Sequence, residues 1–369
     1  MLNYKMGKKL FLFIIFVFCL FACGPSLKEL PITQKELEAE RRKEKELALL
    51  TYIQRFERLY RISLPLMVSA SPFCDEEERK LICGILVHEK NDYKKEDREI
   101  IAFHFPLGNI PTILYIHPDF PASKIGLKPG DKILKVNYKK IKNSKDFYKT
   151  LLKIDPDKTQ IVPFVVERNG KILKLDVPCL KGCYYPLRLI IDDSVNAWVD
   201  TRKRINITTG LMRFVNSDEE LALVIGHELA HNVLNHLGKK IKNQFVGTMI
   251  DTLLYFTAKI NTRGVLGRVS NFIYSKEFEK EADYLGTYIV ARAGYDVSQA
   301  TNIWRRIAAE YPKNINRFFL STHPSTPERF LYIEKTAEEI KKKKELGLPL
   351  LPEKRKKNGF NLFAGEYIP

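Results

Sequence analysis

The amino-acid sequence predicts an α+β protein in which a β-rich domain precedes a mostly helical domain with a small edge sheet. The first observation is a series of short apolar runs between residues 100 and 178, separated by turn sequences such as Pro129-Gly130-Asp131 and Asn169-Gly170. The second is the stretch from residue 217 onward, where apolar residues recur at helical spacing. A chain of 369 residues is long enough for both domains.

The N-terminus has the features of an export signal. Lys5, Lys8 and Lys9 precede an uncharged apolar run over residues 10–22. A run of this length matches a secretory signal and falls short of the ~20 residues that a membrane-spanning helix needs. The sequence therefore predicts a signal peptide over residues 1–22, an exported mature chain and no membrane-spanning segment.

The end of the apolar run, Leu20-Phe21-Ala22-Cys23, resembles the lipobox of bacterial lipoproteins. The resemblance implies cleavage before Cys23 and attachment of lipid to its thiol, so that residues 23–34 form a lipid-anchored tether. Gly24 rather than Asp follows the cysteine, which by the same resemblance implies the outer membrane. The expected location is the periplasmic face of the outer membrane of a Gram-negative-type bacterium. An ordinary signal peptide with a chance cysteine is the alternative.

The chain is strongly basic. Its formal net charge of +17 falls to +14 without residues 1–22, because these hold three lysines and no acid. We expect no nucleic-acid partner for an exported protein, so an anionic lipid or cell-wall surface is the better electrostatic partner. A lysine-rich proteome would explain the same charge.

Four cysteines remain once the signal peptide and Cys23 are set aside: Cys74, Cys83, Cys179 and Cys183. An even number in an oxidising compartment predicts two disulfides, for which three connectivities are open. Local pairing closes two short loops, whereas cross-pairing ties together the two ends of residues 84–178. A four-cysteine zinc site is the competing interpretation, but neither pair has the two-residue spacing usual for one.

Residues 35–99 are predicted to pack on the catalytic domain as a helix followed by strands. Residues 35–60 are rich in Glu, Lys, Arg and Leu without Gly or Pro, which indicates a charged surface helix. The apolar stretches Leu64–Val68 and Ile82–Val87 are predicted to be strands on either side of an acidic turn.

Residues 100–183 form the predicted β-rich domain. The run Phe120–Asn137, which contains the Pro-Gly-Asp turn, resembles the core signature of PDZ domains. The resemblance implies a groove helix at Asp146–Ile154 and a carboxylate-binding loop, for which Leu107–Ile110 is the candidate although it lacks the usual Gly-Leu-Gly-Phe sequence. Peptide capture by strand addition is the functional hypothesis for this domain, and a purely architectural role is the alternative.

His227, Glu228 and His231 lie on a helix that the capping box at residues 217–220 predicts to begin there. The two histidines are four residues apart and lie roughly 40° from each other on one helix face, so both can bind one Zn²⁺. Glu228 can then act as the general base. Three unpaired titratable groups in a core would be costly, which favours this function over a structural role. His236 lies about 140° from His231 and is not expected to bind the same metal.

A catalytic zinc site needs a third protein ligand beside an open position for water. Glu279 and Asp283 are four residues apart and share one helix face, but Glu277 and Glu281 have the same spacing. The spacing alone does not choose between these pairs, and acidic pairs on helices are usually solvated.

The pattern H-E-x-x-H followed by E-x-x-x-D resembles peptidase family 48 of the gluzincins, which includes the HtpX heat-shock protease and the CAAX prenyl endopeptidase. The resemblance covers residues 187–340 and includes the motifs Asn196-Ala197, Thr208-Thr209-Gly210, Glu281–Gly286 and Thr322–Arg329. It implies a zinc metallopeptidase domain over residues 184–340 that holds one Zn²⁺ per chain.

The same resemblance implies the roles of the site residues. The metal ligands would be His227, His231 and Glu279. Asp283 would orient a ligand histidine or assist hydrogen bonding in the transition state. His323 would stabilise the oxyanion or cap the metal in a resting state, with a turn residue before the helix at Pro327 as the structural alternative.

Taken together, these residues predict a zinc metalloendopeptidase that hydrolyses peptide bonds of misfolded or mistargeted cell-envelope proteins. Family likeness places the substrate along the strand that contains Ile205 and Ile207. The alternative is a chaperone or assembly factor of the outer membrane that uses the PDZ-like groove with little proteolysis. Residues 341–369 are predicted to be a basic C-terminal tail. The oligomeric state and the cleavage specificity stay open.

Overall fold

The structure is a computed structural model that describes residues 30–242, 245, 249, 276–311, 323 and 326–354. The predicted signal peptide and Cys23 lie outside the described residues, as does most of the predicted tail. The chain divides into two compact units, residues 1–48 and residues 49–369. The described part of the first unit is the beginning of a long helix, and the β-rich and helical domains both belong to the second unit.

The helices and strands confirm the predicted α+β class. The α-helices that lie wholly within the described residues are α1 Gln34–Ser69, α2 Arg98–His104, α3 Ser144–Leu151, α4 Thr209–Phe214, α5 Asp218–Val233, α6 Lys276–Arg292, α7 Asn302–Glu310 and α8 Pro327–Glu345. The strands are β1 Arg79–Ile82, β2 Ile85–His88, β3 Thr112–Ile116, β4 Lys132–Val136, β5 Lys139–Lys140, β6 Ile161–Arg168, β7 Lys171–Pro178, β8 Leu180–Cys183, β9 Leu187–Ile190, β10 Ala197–Val199 and β11 Ile205–Thr208.

The β-rich domain contains an antiparallel sheet of strand order β2-β3-β4-β6-β7, with β5 paired to β4. Its first strand, β2, lies upstream of the predicted boundary at residue 100 and forms an edge of the sheet. The loop Leu107–Ile110 precedes β3, which pairs with both β2 and β4. A carboxylate-binding loop must lead into an edge strand that can accept a peptide, so that prediction is wrong. The turn before the edge strand is at Gly84, whose φ is +74°.

The helical domain carries a small sheet of order β10-β11-β9. The predicted substrate strand, β11, is its central strand: Ile205 pairs with Val199 on one side and with Leu187 on the other. Both edges of β11 are therefore occupied, and the prediction that substrate lies along it is wrong. Among the described strands of this sheet, β10 and β9 have the free edges.

Helix α1 corrects another prediction, because Leu64–Val68 is helical rather than a strand. Leu59, Ile62 and Leu66 are fully buried in the core of the helical domain, and this packing outweighs the helix-breaking tendency of Pro65. Proline has no N–H, so the carbonyl of Arg61 lacks its helical donor. The Nε2 of His117, in the β-rich domain, lies 2.9 Å from that carbonyl and supplies the hydrogen bond.

Two disulfides join the segments on either side of the β-rich domain. Cys74 is bonded to Cys183, and Cys83 to Cys179, which is the cross-paired connectivity that ties together the ends of residues 84–178. The pairing of β1 with β8 lies beside them and aligns Arg79 with Cys183 and Ile82 with Leu180.

Two further observations concern the predicted C-terminal tail and the crossing of a membrane. Helix α8 continues through Glu345, so the predicted tail boundary at residue 341 falls inside a helix. Within the described ranges, no helix combines the length and the apolar character that crossing a bilayer requires.

Candidate metal centre

The site is built where helices α5 and α6 cross at two glycines. A Cβ at Gly286 would lie 2.9 Å from the backbone of Gly226, and a Cβ at Gly226 would lie 3.0 Å from the carbonyl oxygen of Gly286. Only two glycines allow the backbones to approach this closely. Gly226 directly precedes His227, and Gly286 follows Asp283 by one helical turn. The close contact therefore brings the H-E-x-x-H face of α5 against the acidic face of α6.

Four buried side chains converge at this crossing. Donor atoms of His227, His231, Glu279 and His323 all lie within 4.8 Å of one another. The Nε2 atoms of His227 and His231 are 3.0 Å apart, and Oε2 and Oε1 of Glu279 lie 3.5 Å from the first and the second of them, respectively. The Nδ1 of His323 lies 3.1 Å from Nε2 of His227 and 2.9 Å from Oε1 of Glu279.

These distances match the geometry that zinc requires. Four nitrogen and oxygen ligands placed tetrahedrally at about 2.0–2.1 Å from Zn²⁺ lie about 3.3 Å from one another. The donor set, three imidazoles and one carboxylate, is also the type that zinc prefers. The three predicted ligands and His323 therefore fit the group, with His323 at the fourth position.

Glu228 lies beside the cluster with its carboxylate fully buried. Within the part of the chain that the structure describes, neither of its oxygens accepts a hydrogen bond, and Oε1 is 3.3 Å from Nε2 of His323. Burial raises the pKa of this carboxyl, although electrostatic interaction with His323 and His227 opposes the effect. A carboxylate without hydrogen bonds and with a raised pKa is a suitable acceptor for a proton.

Asp283 and Arg329 support the ligands. The Oδ1 of Asp283 lies 2.9 Å from Nδ1 of His227, the nitrogen on the far side from the cluster. Arg329 binds both oxygens of Asp283 at 2.8 Å and reaches Oε2 of Glu279 at 3.0 Å. Burial tends to raise the pKa of Glu279, but His323, His227 and Arg329 hold it well below its usual value. The carboxylate is thus kept charged and ready to bind a cation.

Arg329 is a buried neighbour of the site that the sequence patterns do not indicate. It appears in the Thr322–Arg329 motif, but neither its position nor its residue type indicated a role. It stands in the first turn of α8, which Thr326 caps by accepting a hydrogen bond from the N–H of Arg329. The side chain is only 5% exposed, a burial that charged residues tolerate only with partners.

The other candidate carboxylate pair, Glu277 and Glu281, lies outside the cluster. Glu277 is exposed. Glu281 lies 3.0 Å from Nε2 of His236, and Nδ1 of His236 lies 3.0 Å from Nδ1 of His231. The structure thus brings Glu279 and Asp283 to the cluster and leaves Glu277 and Glu281 outside it. His236 is not among the grouped donor atoms.

Comparison with known proteins agrees with this geometry. The model of peptidase family M48 matches residues 173–337, and the PDZ domain model matches residues 84–179. The mitochondrial metalloendopeptidase OMA1 of Schizosaccharomyces pombe is 30% identical over 187 residues, which cover 48% of this chain and 54% of that protein. The beta-barrel assembly-enhancing protease of Yersinia pestis is 24% identical over 168 residues, covering 42% of this chain and 34% of that protein.

The chain thus spans about half, or less, of the length of these relatives. Among solved structures, a serine endoprotease from Yersinia pestis matches with a TM-score of 0.21 and 18% identity, covering 28% of this chain and 30% of that one. The M48 model covers all of the ligands, Glu228 and Arg329, and the PDZ model begins at the glycine that precedes β2. Residues 173–337, which hold the metal centre, therefore match peptidase family M48, and residues 84–179, on the N-terminal side of the ligands, match the PDZ domain.

Proposed function

We propose that the chain is a zinc-dependent metalloendopeptidase, and the converging donor atoms of His227, His231 and Glu279 beside the buried Glu228 carry this proposal. When bound, Zn²⁺ lowers the pKa of water toward about 7 and polarises a scissile carbonyl. Glu228 takes the proton of the attacking water and passes it to the leaving amine. Asp283, held by Arg329, fixes the ring orientation of His227.

His323 has two proposed roles that depend on its position. With Nδ1 directed at the ligands it occupies the fourth donor place and keeps the site closed to substrate. After a displacement from that place, its ring can donate a hydrogen bond to the oxyanion that forms during peptide hydrolysis. The substrate would lie along the edge strand β10, which packs against α5, the helix that carries Glu228.

We further propose that the substrates are unfolded or misassembled cell-envelope proteins and that Cys23 anchors the chain to the periplasmic face of the outer membrane by lipid. The support is the lipobox-like sequence, the two disulfides, which suit an oxidising compartment, and the relative named a beta-barrel assembly-enhancing protease. Labelling with radioactive palmitate in cells tests the anchor. Cys23→Ser should abolish the label, whereas equal labelling of both forms would reject the anchor.

Metal dependence is the direct test of the enzymatic proposal. The purified protein should contain one zinc per chain and digest an unfolded substrate such as reduced casein. A chelator should abolish digestion, and added Zn²⁺ should restore it, because the three ligands hold the group that activates water. Protein that binds zinc but leaves casein intact would favour the alternative function, a chaperone or assembly factor. Digestion that persists without zinc would contradict the proposed mechanism.

The alternative function draws its support from a groove in the PDZ domain. A cavity of about 430 Å³ lies between α1, the edge strand β2 and α3, the helix that corresponds to the predicted groove helix, and its lining is mostly apolar. The backbone of β2 is already partly bonded there. The hydroxyl of Tyr60 on α1 donates to the carbonyl of Ile85 at 2.8 Å, and the N–H of Val87 donates to the hydroxyl of Tyr148 on α3 at 3.3 Å. A peptide that adds to β2 must replace these bonds.

Removal of the Tyr60 hydroxyl is therefore expected to strengthen peptide binding. Tyr60→Phe frees the carbonyl of Ile85, and one hydrogen bond of about 0.5–1.5 kcal/mol corresponds to a gain in affinity of up to about tenfold. The measurement is fluorescence anisotropy with a short labelled peptide that has an apolar carboxyl terminus. Tyr52→Phe is the matched control, because the Tyr52 hydroxyl, also on α1, bonds Leu189 rather than β2. An equal affinity of Tyr60→Phe and wild type would show that α1 does not limit access to the groove.

A further inference from the structure

The two ligand histidines of α5 have different neighbours at their Nδ1 atoms. His227 has Asp283 at 2.9 Å from its Nδ1, but the Nδ1 of His231 faces a second imidazole, that of His236, at 3.0 Å. His236 is completely buried, and its other nitrogen, Nε2, lies 3.0 Å from Oε2 of Glu281. His231, His236 and Glu281 form a hydrogen-bonded series that leads from the metal centre to a carboxylate whose side chain is 52% exposed.

We propose that His236 is a positioning residue that, together with Glu281, fixes His231 in the tautomer and orientation needed to bind the metal. This inference rests on the metal site proposed above. It assigns a role to two residues that do not contact the metal and take no part in the chemistry.

The positions of the protons follow from the ligand role of His231. Its Nε2 faces the other ligands and must be without a proton to bind a cation, so the proton of the neutral ring is on Nδ1. That N–H donates to Nδ1 of His236, which must then be the bare nitrogen. The proton of His236 is therefore on Nε2 and is donated to Glu281, whose ionised carboxylate can only accept. This arrangement of protons satisfies the contact between His231 and His236, the contact between His236 and Glu281, and the ligand role of His231.

The packing around His236 keeps its ring in the plane that the hydrogen bonds to His231 and Glu281 require. The ring of Phe278 stacks on it with a centroid separation of 4.5 Å and an interplanar angle of 14°. Phe278 directly precedes Glu279, so the same turn of α6 that supplies a metal ligand also holds the positioning residue. A tilt of His236 would therefore be transmitted to His231 and change the direction of its Nε2.

The test is the zinc affinity of the full-length protein, measured by competition with a chromophoric chelator. His236→Phe keeps an aromatic ring on Phe278 but removes both nitrogens, and it should weaken zinc binding by about 10–100-fold, the usual effect of losing such a supporting partner. Glu281→Ala should weaken zinc binding less, by under about tenfold, because water can replace the half-exposed carboxylate as the hydrogen-bond partner of His236. The visible absorption of the Co²⁺-substituted protein should change in both variants, since it reports on the geometry around the ion.

A control variant shows what the loss of a buried, hydrogen-bonded histidine does when that histidine lies away from the metal centre. His117→Phe is the matched control, because His117 is equally buried, hydrogen bonded through both ring nitrogens and packed against Phe120, but lies in the PDZ domain. It should lower the thermal stability of the metal-free protein and leave zinc affinity and the Co²⁺ spectrum unchanged.

The outcomes separate this inference from the proposal that it rests on. Wild-type zinc affinity and an unchanged Co²⁺ spectrum in both His236→Phe and Glu281→Ala would overturn the positioning role while the metal site stands. If His236→Phe does not fold, Glu281→Ala alone decides in the same way. A wild-type protein that binds no zinc would overturn the metal site itself.

Discussion

Glu228→Gln is expected to abolish peptide hydrolysis while the protein keeps its zinc. The glutamine has nearly the shape of glutamate but cannot accept the proton of the attacking water, so kcat/KM should fall by on the order of 10²–10⁴-fold or more. Zinc content should stay at one per chain, because Glu228 is not among the grouped donor atoms. Casein digestion and metal analysis on the same preparation measure the two quantities together.

Glu219→Gln is the matched control for this variant. Glu219 lies on the same helix, α5, but it is exposed in the first turn, about two helical turns before His227. It should keep wild-type hydrolysis. Full activity of Glu228→Gln would remove Glu228 from the mechanism, and loss of its zinc would mean that the residue supports the metal instead.

Arg329→Met is expected to cause the largest loss of stability among single substitutions in the site. Arg329 is the cation between two buried carboxylates, those of Asp283 and Glu279. Its removal takes from both buried carboxylates the guanidinium that binds them, a loss that typically costs about 3–5 kcal/mol of the free energy of unfolding. Urea denaturation of the metal-free protein, followed by circular dichroism, measures this loss without a contribution from bound metal.

The control is Arg305→Met, which breaks a surface ion pair. Arg305 binds Glu334 at 2.7 Å, but the two side chains are 46% and 39% exposed, so the expected loss is about 0–1 kcal/mol. Equal losses in the two variants would show that the buried position of Arg329 does not matter, contrary to the role inferred here.

The parts of the site that sequence could predict are those with a local spacing. His227, Glu228 and His231 stand within five residues, and one helical turn explains their convergence. The choice of Glu279 over Glu281 came from family resemblance, because both belong to pairs with the same spacing. In the structure the close crossing at Gly226 and Gly286 determines which pair faces the metal centre. Two glycines inside predicted helices were the available signal, since an interior glycine costs about 1 kcal/mol unless packing requires it.

The errors concern contacts between distant segments. Leu64–Val68 was predicted as a strand because a short apolar run with a proline has no clear period. Its helical form depends on burial in the core and on a hydrogen bond from His117, which no local pattern contains. The strand β2 was assigned outside the β-rich domain for the same reason, since its partner β3 lies more than twenty residues further along the chain. Pairing of this kind is decided by the whole fold.

The two disulfides determine what a single break in the backbone would do to the molecule. Cys74 and Cys83 precede the PDZ domain, and their partners Cys183 and Cys179 follow it. A single cleavage anywhere between residues 84 and 178 therefore divides the polypeptide but not the molecule. The fragment with α1 and the fragment with the metal ligands stay covalently joined until a reductant opens both bridges. The backbone can be cut within the PDZ domain without releasing the domain that holds the metal ligands.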